Sequence, residues 1–164
     1  MKNDFENVVI YFEESWDEII GLDDYNRTIW ILSLGILLDV ELSIFEKIAN
    51  VIDKIGRKDF LFDYLISIKI ANREISKDLL LPKFFGFLKE CIETKNVENL
   101  KQYLDKKWYK SMKITYWYDN HKSSNDVHFG YWSFESGAIV KILGLDDSNL
   151  KDQQYYPYDL VHCK

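Results

Sequence analysis

The sequence predicts an all-α fold, a compact single-domain bundle of about six to eight helices with an extended aromatic C-terminal tail. Three observations predict it. Apolar residues recur at three-and-four spacing through most of the chain, the period that places side chains on one helix face. Glycines and prolines stand at the ends of those periodic stretches, where helices stop and start. The single stretch with strand character, residues 113–118, has no second strand to pair with and reads as loop.

Phe5, Val8, Val9, Phe12, Trp16, Ile19 and Ile20 form the first helical face. Ser15 and Glu18 have capping-box spacing but fall inside this pattern, so they read as exposed positions. Gly21 follows the last periodic residue and is expected to close the helix in the left-handed conformation, with Leu22 packing back on the final turn. Asp23 and Asp24 then suit the positive end of a second helix, over residues 25–38, which is apolar nearly all round and therefore central. Ser43 and Glu46 have capping-box spacing near the start of a third helix, which buries Phe45, Ile48, Ala49, Ile52 and Ile55 and ends at Gly56. Residues 59–71 give a fourth helix with Phe60, Tyr64, Leu65 and Ile68 inward. Pro82 fits the first turn of the next helix, residues 84–94, and 97–108 is a further amphipathic stretch.

Residues 119–126 are polar and read as a surface loop, and 130–143 as helix. The string Gly144-Leu145-Asp146-Asp147 duplicates Gly21-Leu22-Asp23-Asp24 with no wider repeat around it, so it reads as one stop–start signal used twice. The tail from Gln153 to Cys163 holds Tyr155-Tyr156-Pro157-Tyr158-Asp159; proline disfavours the helical region in the residue before it, so this segment is expected to be extended and packed by its tyrosines. No Gly/Ser-rich linker divides the chain, and residues 1–164 read as one domain.

Composition narrows the function classes. Five Trp, 11 Tyr and 10 Phe exclude a disordered chain. A net charge of −6 disfavours direct binding to nucleic acid and suits a basic partner. The N-terminus has acidic residues where a signal peptide needs an apolar stretch, and the longest apolar run, residues 29–38, is too short for a bilayer. Cys91 and Cys163 share no motif spacing. A reduced, cytosolic, membrane-free protein is the expectation.

No residues spell out chemistry. There is no phosphate-binding glycine loop, no Gly-x-Ser-x-Gly elbow and no His-Glu-x-x-His. His121, His128 and His162, with Asp119, Asp126 and Cys163, are the only conceivable metal set, and their spacings match no zinc site. Asp59 and Asp63 lie one helical turn apart, as paired acid–base work requires, but read as exposed acids on an amphipathic helix. Cys91 reads as a small core residue. The expectation is no catalytic residue, no metal and no cofactor, and so a binding protein rather than an enzyme.

The last third carries a recognisable run: Phe129-Gly130-Tyr131-Trp132-Ser133-Phe134-Glu135, then Lys141-Ile142-Leu143-Gly144, then Tyr155-Tyr156-Pro157-Tyr158-Asp159-Leu160. Upstream stand Trp30-Ile31-Leu32-Ser33-Leu34-Gly35, Asp59-Phe60-Leu61-Phe62-Asp63 and Trp117-Tyr118-Asp119-Asn120-His121. This set resembles the C-terminal domain of the PoNi immunity proteins over roughly residues 22–164, with only the helix before Gly21 standing where longer members carry an additional N-terminal helical region. The resemblance implies a bacterial, cytoplasmic antitoxin whose partner is a PoNe-type DNase toxin delivered between bacteria, notably by type VI secretion. A helical scaffold with an unrelated partner is the alternative, and the oligomeric state stays open.

Within the motif, Gly130 lets a neighbouring backbone or ring approach closely. Tyr131, Trp132 and Phe134 start the helix, and at least one of them covers the aromatic tail. Glu135, if buried, needs a partner such as a Tyr hydroxyl or a Lys. Gly130, Tyr131, Trp132, Glu135, Tyr156, Pro157 and Asp159 are accordingly expected to be scaffold. For a basic toxin the contact candidates are Asp23, Asp24, Asp146, Asp147 and Asp152, on charge clustering at two loops, with Tyr158 as a possible anchor.

Overall fold

The computed structural model describes residues 2–163 apart from 126, 127 and 129, and the side chains of residues 2 and 3 are not described. Among the described residues the regular structure is helical, with no strand. No helix is long and apolar enough to cross a membrane. Contacts group the chain into two compact units, one built on residues 1–80 and the other on residues 81–162.

In the first unit, α1 (Lys2–Ser15) buries Phe5, Val9 and Phe12 and packs on α3 (Leu42–Ile55). The helix stops at Ser15, five residues before the end of the periodic pattern. Gly21 is extended (φ −134°, ψ −169°) and serves as N-cap of α2 (Leu22–Leu37), so it does not close α1 in the left-handed region. Asp24 completes that start, its carboxylate accepting from the backbone N–H of Gly21. α2 is the central helix, as its all-round apolar sequence requires: Tyr25, Ile29, Leu32, Ile36 and Leu37 are buried. Gly35 lets Phe45 of α3 close in, since a Cβ there would lie 3.0 Å from the ring. Gly56 ends α3 with φ +73°, the expected left-handed cap.

The fourth helix, α4 (Phe60–Ser67), corrects the sequence reading. Leu61, Phe62, Leu65 and Ile66 are its buried residues, while Ile68 is exposed. Asp59 and Asp63 are 0% and 1% exposed, not surface acids. Asp59 is the N-cap. Its Oδ1 accepts from the N–H of Leu61 (2.9 Å) and Phe62 (3.1 Å) and from the Tyr25 hydroxyl (3.0 Å), and its Oδ2 from the N–H of Leu80 (2.8 Å). Burial raises its pKa against these hydrogen bonds, which lower it. Asp63 takes the Arg73 guanidinium on Oδ1 and the N–H and hydroxyl of Ser76 on Oδ2. Arg73 also reaches Asp53 of α3 at 2.7 Å. The two carboxylates therefore fasten the irregular stretch before residue 80 to α4.

In the second unit Pro82 opens α5 (Pro82–Thr94), and the Asn96 side chain caps α6 (Val97–Tyr103). A π-helical stretch, Leu104–Trp108, and a last turn, α7 (Tyr109–Ser111), continue from α6. Residues 112–119 are turns, as expected of a lone strand-like stretch. α8 spans Phe134–Leu143; residues 130–133 lie outside it, so Tyr131 and Trp132 precede the helix rather than start it. Gly144 closes α8 with φ +59°, and the N–H of Leu145 returns to the Val140 carbonyl at 3.2 Å. Ser148–Leu150 is a 3₁₀ turn, and the tail from Gln153 is not extended throughout, since the residues after Pro157 form α9 (Tyr158–Val161). α8 packs on α9 because Gly137 has no side chain; a Cβ there would lie 2.8 Å from Pro157 Cγ and 3.0 Å from Val161 Cγ2.

Candidate partner-binding surface

The residues before α8 and the C-terminal tail line one open cleft of about 780 Å³ in the second unit. Tyr131, Trp132 and Phe134 form one side, and residues 151–160 the other. The Ser133 N–H donates to the Tyr155 carbonyl at 2.8 Å, joining the two sides. Gly130 has φ +90°, and a Cβ there would strike the Trp132 ring, so the expected close approach of a ring is present.

Beneath the cleft lies an aromatic cluster. The Tyr155 ring stacks on Tyr109 (centroids 5.3 Å apart) and contacts Trp108 (5.0 Å). Tyr131 contacts Tyr109, Trp117 and the rings of His121 and His128. Tyr155 itself has φ +72°, a conformation that costs an aromatic residue about 1–2 kcal/mol and that the stack and the Ser133 hydrogen bond hold in place.

Glu135 is buried at the base of α8. Its Oε1 accepts from the Trp108 indole N–H at 2.9 Å and the Ser133 hydroxyl at 2.7 Å. The expected partner of this acid was a Tyr or a Lys; an indole and a serine take that place, and the π-helical stretch that ends at Trp108 carries the indole. Tyr103 nearby is pushed up to about 12, by burial above all and in part by the Glu135 charge.

The candidate contact acids separate into two groups. Asp147 is 5% exposed and belongs to the interior. Its carboxylate accepts from the Tyr156 hydroxyl at 2.7 Å and lies 3.0 Å from His162 Nε2. This corrects the reading of Asp147 as a docking acid: in the fold it ties the tail to the end of α8. Burial, then the bond to Asp147, drives the Tyr156 pKa far up. Asp146 is exposed, held below the usual carboxylate range by the Ser148 N–H. Asp152 and Asp159 are exposed at the cleft, and Tyr158 is half-buried against His162. Asp23 and Asp24 lie at the start of α2, half-buried, in the other unit. Tyr156 and Pro157 are buried.

Two of the histidines, His121 and His128, meet at the Tyr131 ring, and His162 lies at Asp147. His121 Nδ1 lies 2.6 Å from the Tyr131 hydroxyl, and His128 Nδ1 lies 3.0 Å from Asn120 Oδ1. Among the described residues no group of three metal-binding side chains comes together; Asp126, and Phe129 of the motif, lie outside those residues. Cys91 is buried in α5, and burial pushes its thiol up to about 11, which removes nucleophilic character.

Residues 57–160 match the family model for PoNe immunity proteins (PoNi), C-terminal, and residues 1–50 match the model for PoNe immunity protein (PoNi), N-terminal. The chain belongs to the PoNe immunity protein family. The PoNi match begins at the first residue, so the N-terminal region is represented and the resemblance does not start at Leu22. The break between the two PoNi segments, at residues 51–56, is the end of α3 and falls inside the first compact unit. Among curated proteins there is no match. Among solved structures the chain is similar to protein PA2201 from Pseudomonas aeruginosa, with a TM-score of 0.62 and 23% identity, over 86% of this chain and 51% of that one. It thus spans about half the length of that protein, and the likeness is one of fold.

Proposed function

We propose that this protein is an antitoxin that neutralises a PoNe-type DNase toxin by stoichiometric binding, with residues 1–164 as one immunity-protein domain and no chemistry of its own. The observation that carries the reading is the pair of family matches over residues 1–50 and 57–160. A DNase acts where the chromosome is, so the bacterial cytoplasm is the compartment in which such an antitoxin is needed, and delivery of the toxin by a type VI or similar secretion system fits that requirement. A nuclease must present Lys and Arg to hold phosphates, so its DNA-binding surface is basic. Each unit by itself offers acids to such a surface: Asp23 and Asp24 at the start of α2 in the first, and the exposed Asp146 and Asp152, with Tyr158 at the cleft, in the second. The general-scaffold alternative has no observation of its own in its favour.

The test is co-expression with the gene encoded beside this one. Rescue of growth, with a one-to-one complex on size-exclusion chromatography coupled to light scattering, is the expected result. Toxicity that this protein neither relieves nor binds would overturn the reading.

A further inference from the structure

The charge of this protein is unevenly divided. Residues 81–162 carry 11 acidic and 11 basic residues, whereas residues 1–80 carry 16 acidic and 9 basic. Within that half the first 24 residues hold eight acids and a single base, Lys2. The acidity that would attract a basic partner is therefore concentrated on α1 and the segment that follows it, within the first unit.

The same segment exposes large apolar side chains. Tyr11 is 70% and Ile20 75% exposed, and Val8 and Ile10 are also out in solvent. The inward face of α1 is already occupied by Phe5, Val9 and Phe12, so these four are surplus to the core. Val8 and Tyr11 lie three apart on one ridge of the helix, and Ile10 lies between Glu6 and Glu14, each four residues away. Glu6, Glu14, Asp17 and Glu18 are exposed and have no ion-pair partner among the described residues; Glu13, by contrast, reaches Lys47 at 3.9 Å.

We propose that the outward face of α1 with residues 17–20 is the surface on which the toxin's basic DNA-binding face docks, its acids standing where phosphates would and Tyr11 and Ile20 acting as apolar anchors. The inference rests on the antitoxin reading above. Charge selects the occupant. A second copy of this chain would set acid against acid, and nucleic acid or an anionic membrane surface would be repelled. A phosphate-binding protein surface is attracted, and apolar side chains ringed by charge are the usual composition of an interface centre and rim.

The experiment uses the full chain and the purified nuclease domain encoded beside it, with association and dissociation rates read by surface plasmon resonance at two salt concentrations. Wild-type binding is measured first; its absence removes the antitoxin reading, and this face with it, before any substitution is made. Glu6→Lys/Glu14→Lys/Glu18→Lys is expected to slow association about tenfold or more and to flatten its salt dependence. Tyr11→Ala/Ile20→Ser, which alters no charge, is expected to speed dissociation about tenfold. Because these side chains are exposed, thermal melts should stay near wild type; if the charge reversal melts early, the uncharged pair carries the decision. Wild-type binding with the variants' rates within twofold overturns the proposal. So does loss of binding on Asp146→Lys/Asp152→Lys while the α1 variants bind normally, which would assign docking to the second unit.

Discussion

Asp59 separates a surface acid from a structural one. On the sequence pattern it sits at an exposed helix position, where substitution changes stability by less than about 0.5 kcal/mol. In the fold it is fully buried and accepts four hydrogen bonds. Asp59→Ala removes the cap of α4, worth about 1 kcal/mol. It also withdraws the acceptor from the Tyr25 hydroxyl and the Leu80 N–H, each costing about 1–3 kcal/mol when a buried donor is left without one. Relief from burying a carboxylate, the cause of its raised pKa, offsets part of this. These costs sum to about 3–7 kcal/mol and the relief lowers that, so the net expectation is a loss of about 3 kcal/mol. Asp59→Asn should lose less, about 1–2 kcal/mol, since its oxygen can keep the three donors on Oδ1 while its amide opposes the Leu80 N–H. Urea unfolding followed by circular dichroism measures both, with an unchanged slope showing that the unfolded state is the same. A loss below about 0.5 kcal/mol for the alanine variant would refute the reasoning.

Three further outcomes are expected. Gly137→Ala should lower stability by about 1–3 kcal/mol, because its Cβ meets Pro157 and Val161, whereas Gly86→Ala in α5, with nothing within 4 Å, should raise it by about 0.5–1 kcal/mol; thermal melts of the pair decide. In the native protein only Cys163 should react with a thiol reagent, and Cys91 only after unfolding, since it is buried with its thiol pushed up to about 11; two fast-reacting thiols in the native state would contradict this. Tyr103 is pushed from 10.0 up to about 12, so the folded state holds this proton more tightly than the unfolded chain does. Its contribution to stability is complete below pH 10 and is lost as pH rises toward 12, and Tyr103→Phe should remove that part of the alkaline decline in a pH-resolved urea series.

Helix identity was legible because it follows from period and from terminal residues. α3 with Gly56, α5 with Pro82 and α8 with Gly144 lie close to where the pattern places them. What local pattern could not decide is shown by the tetrapeptide Gly-Leu-Asp-Asp, which occurs twice with two outcomes. At residue 144 the preceding helix is intact, and glycine turns left-handed to close it. At residue 21 α1 has already ended at Ser15, so the same glycine is extended and opens α2 instead. The last aspartate of each copy diverges as well: Asp24 caps a helix at the surface, and Asp147 is buried under Tyr156. Identical strings have the same propensities, so the difference is tertiary.

The acids of this protein show how far a functional surface can be read before a fold is known. An acid flanked by apolar residues on both sides in sequence, as Asp63 is by Phe62 and Tyr64, is surrounded by groups that will be buried, and it must then find donors: here Arg73 and Ser76, 10 and 13 residues on. Asp147, between Asp146 and Ser148, has no such neighbours, and its burial under Tyr156 is decided by the packing of the tail. An acid among other acids with no nearby base, as Glu14, Asp17 and Glu18 are, has no ion-pair partner among the described residues and stays in water. Sorting acids by what must surround them, rather than by clustering alone, sets Asp63 apart as an interior acid and draws attention to α1 from the sequence. The exposure of Tyr11 and Ile20 was not legible in that way. It depends on where α1 stops and on which of its faces the α3 contact uses, and both are settled by packing.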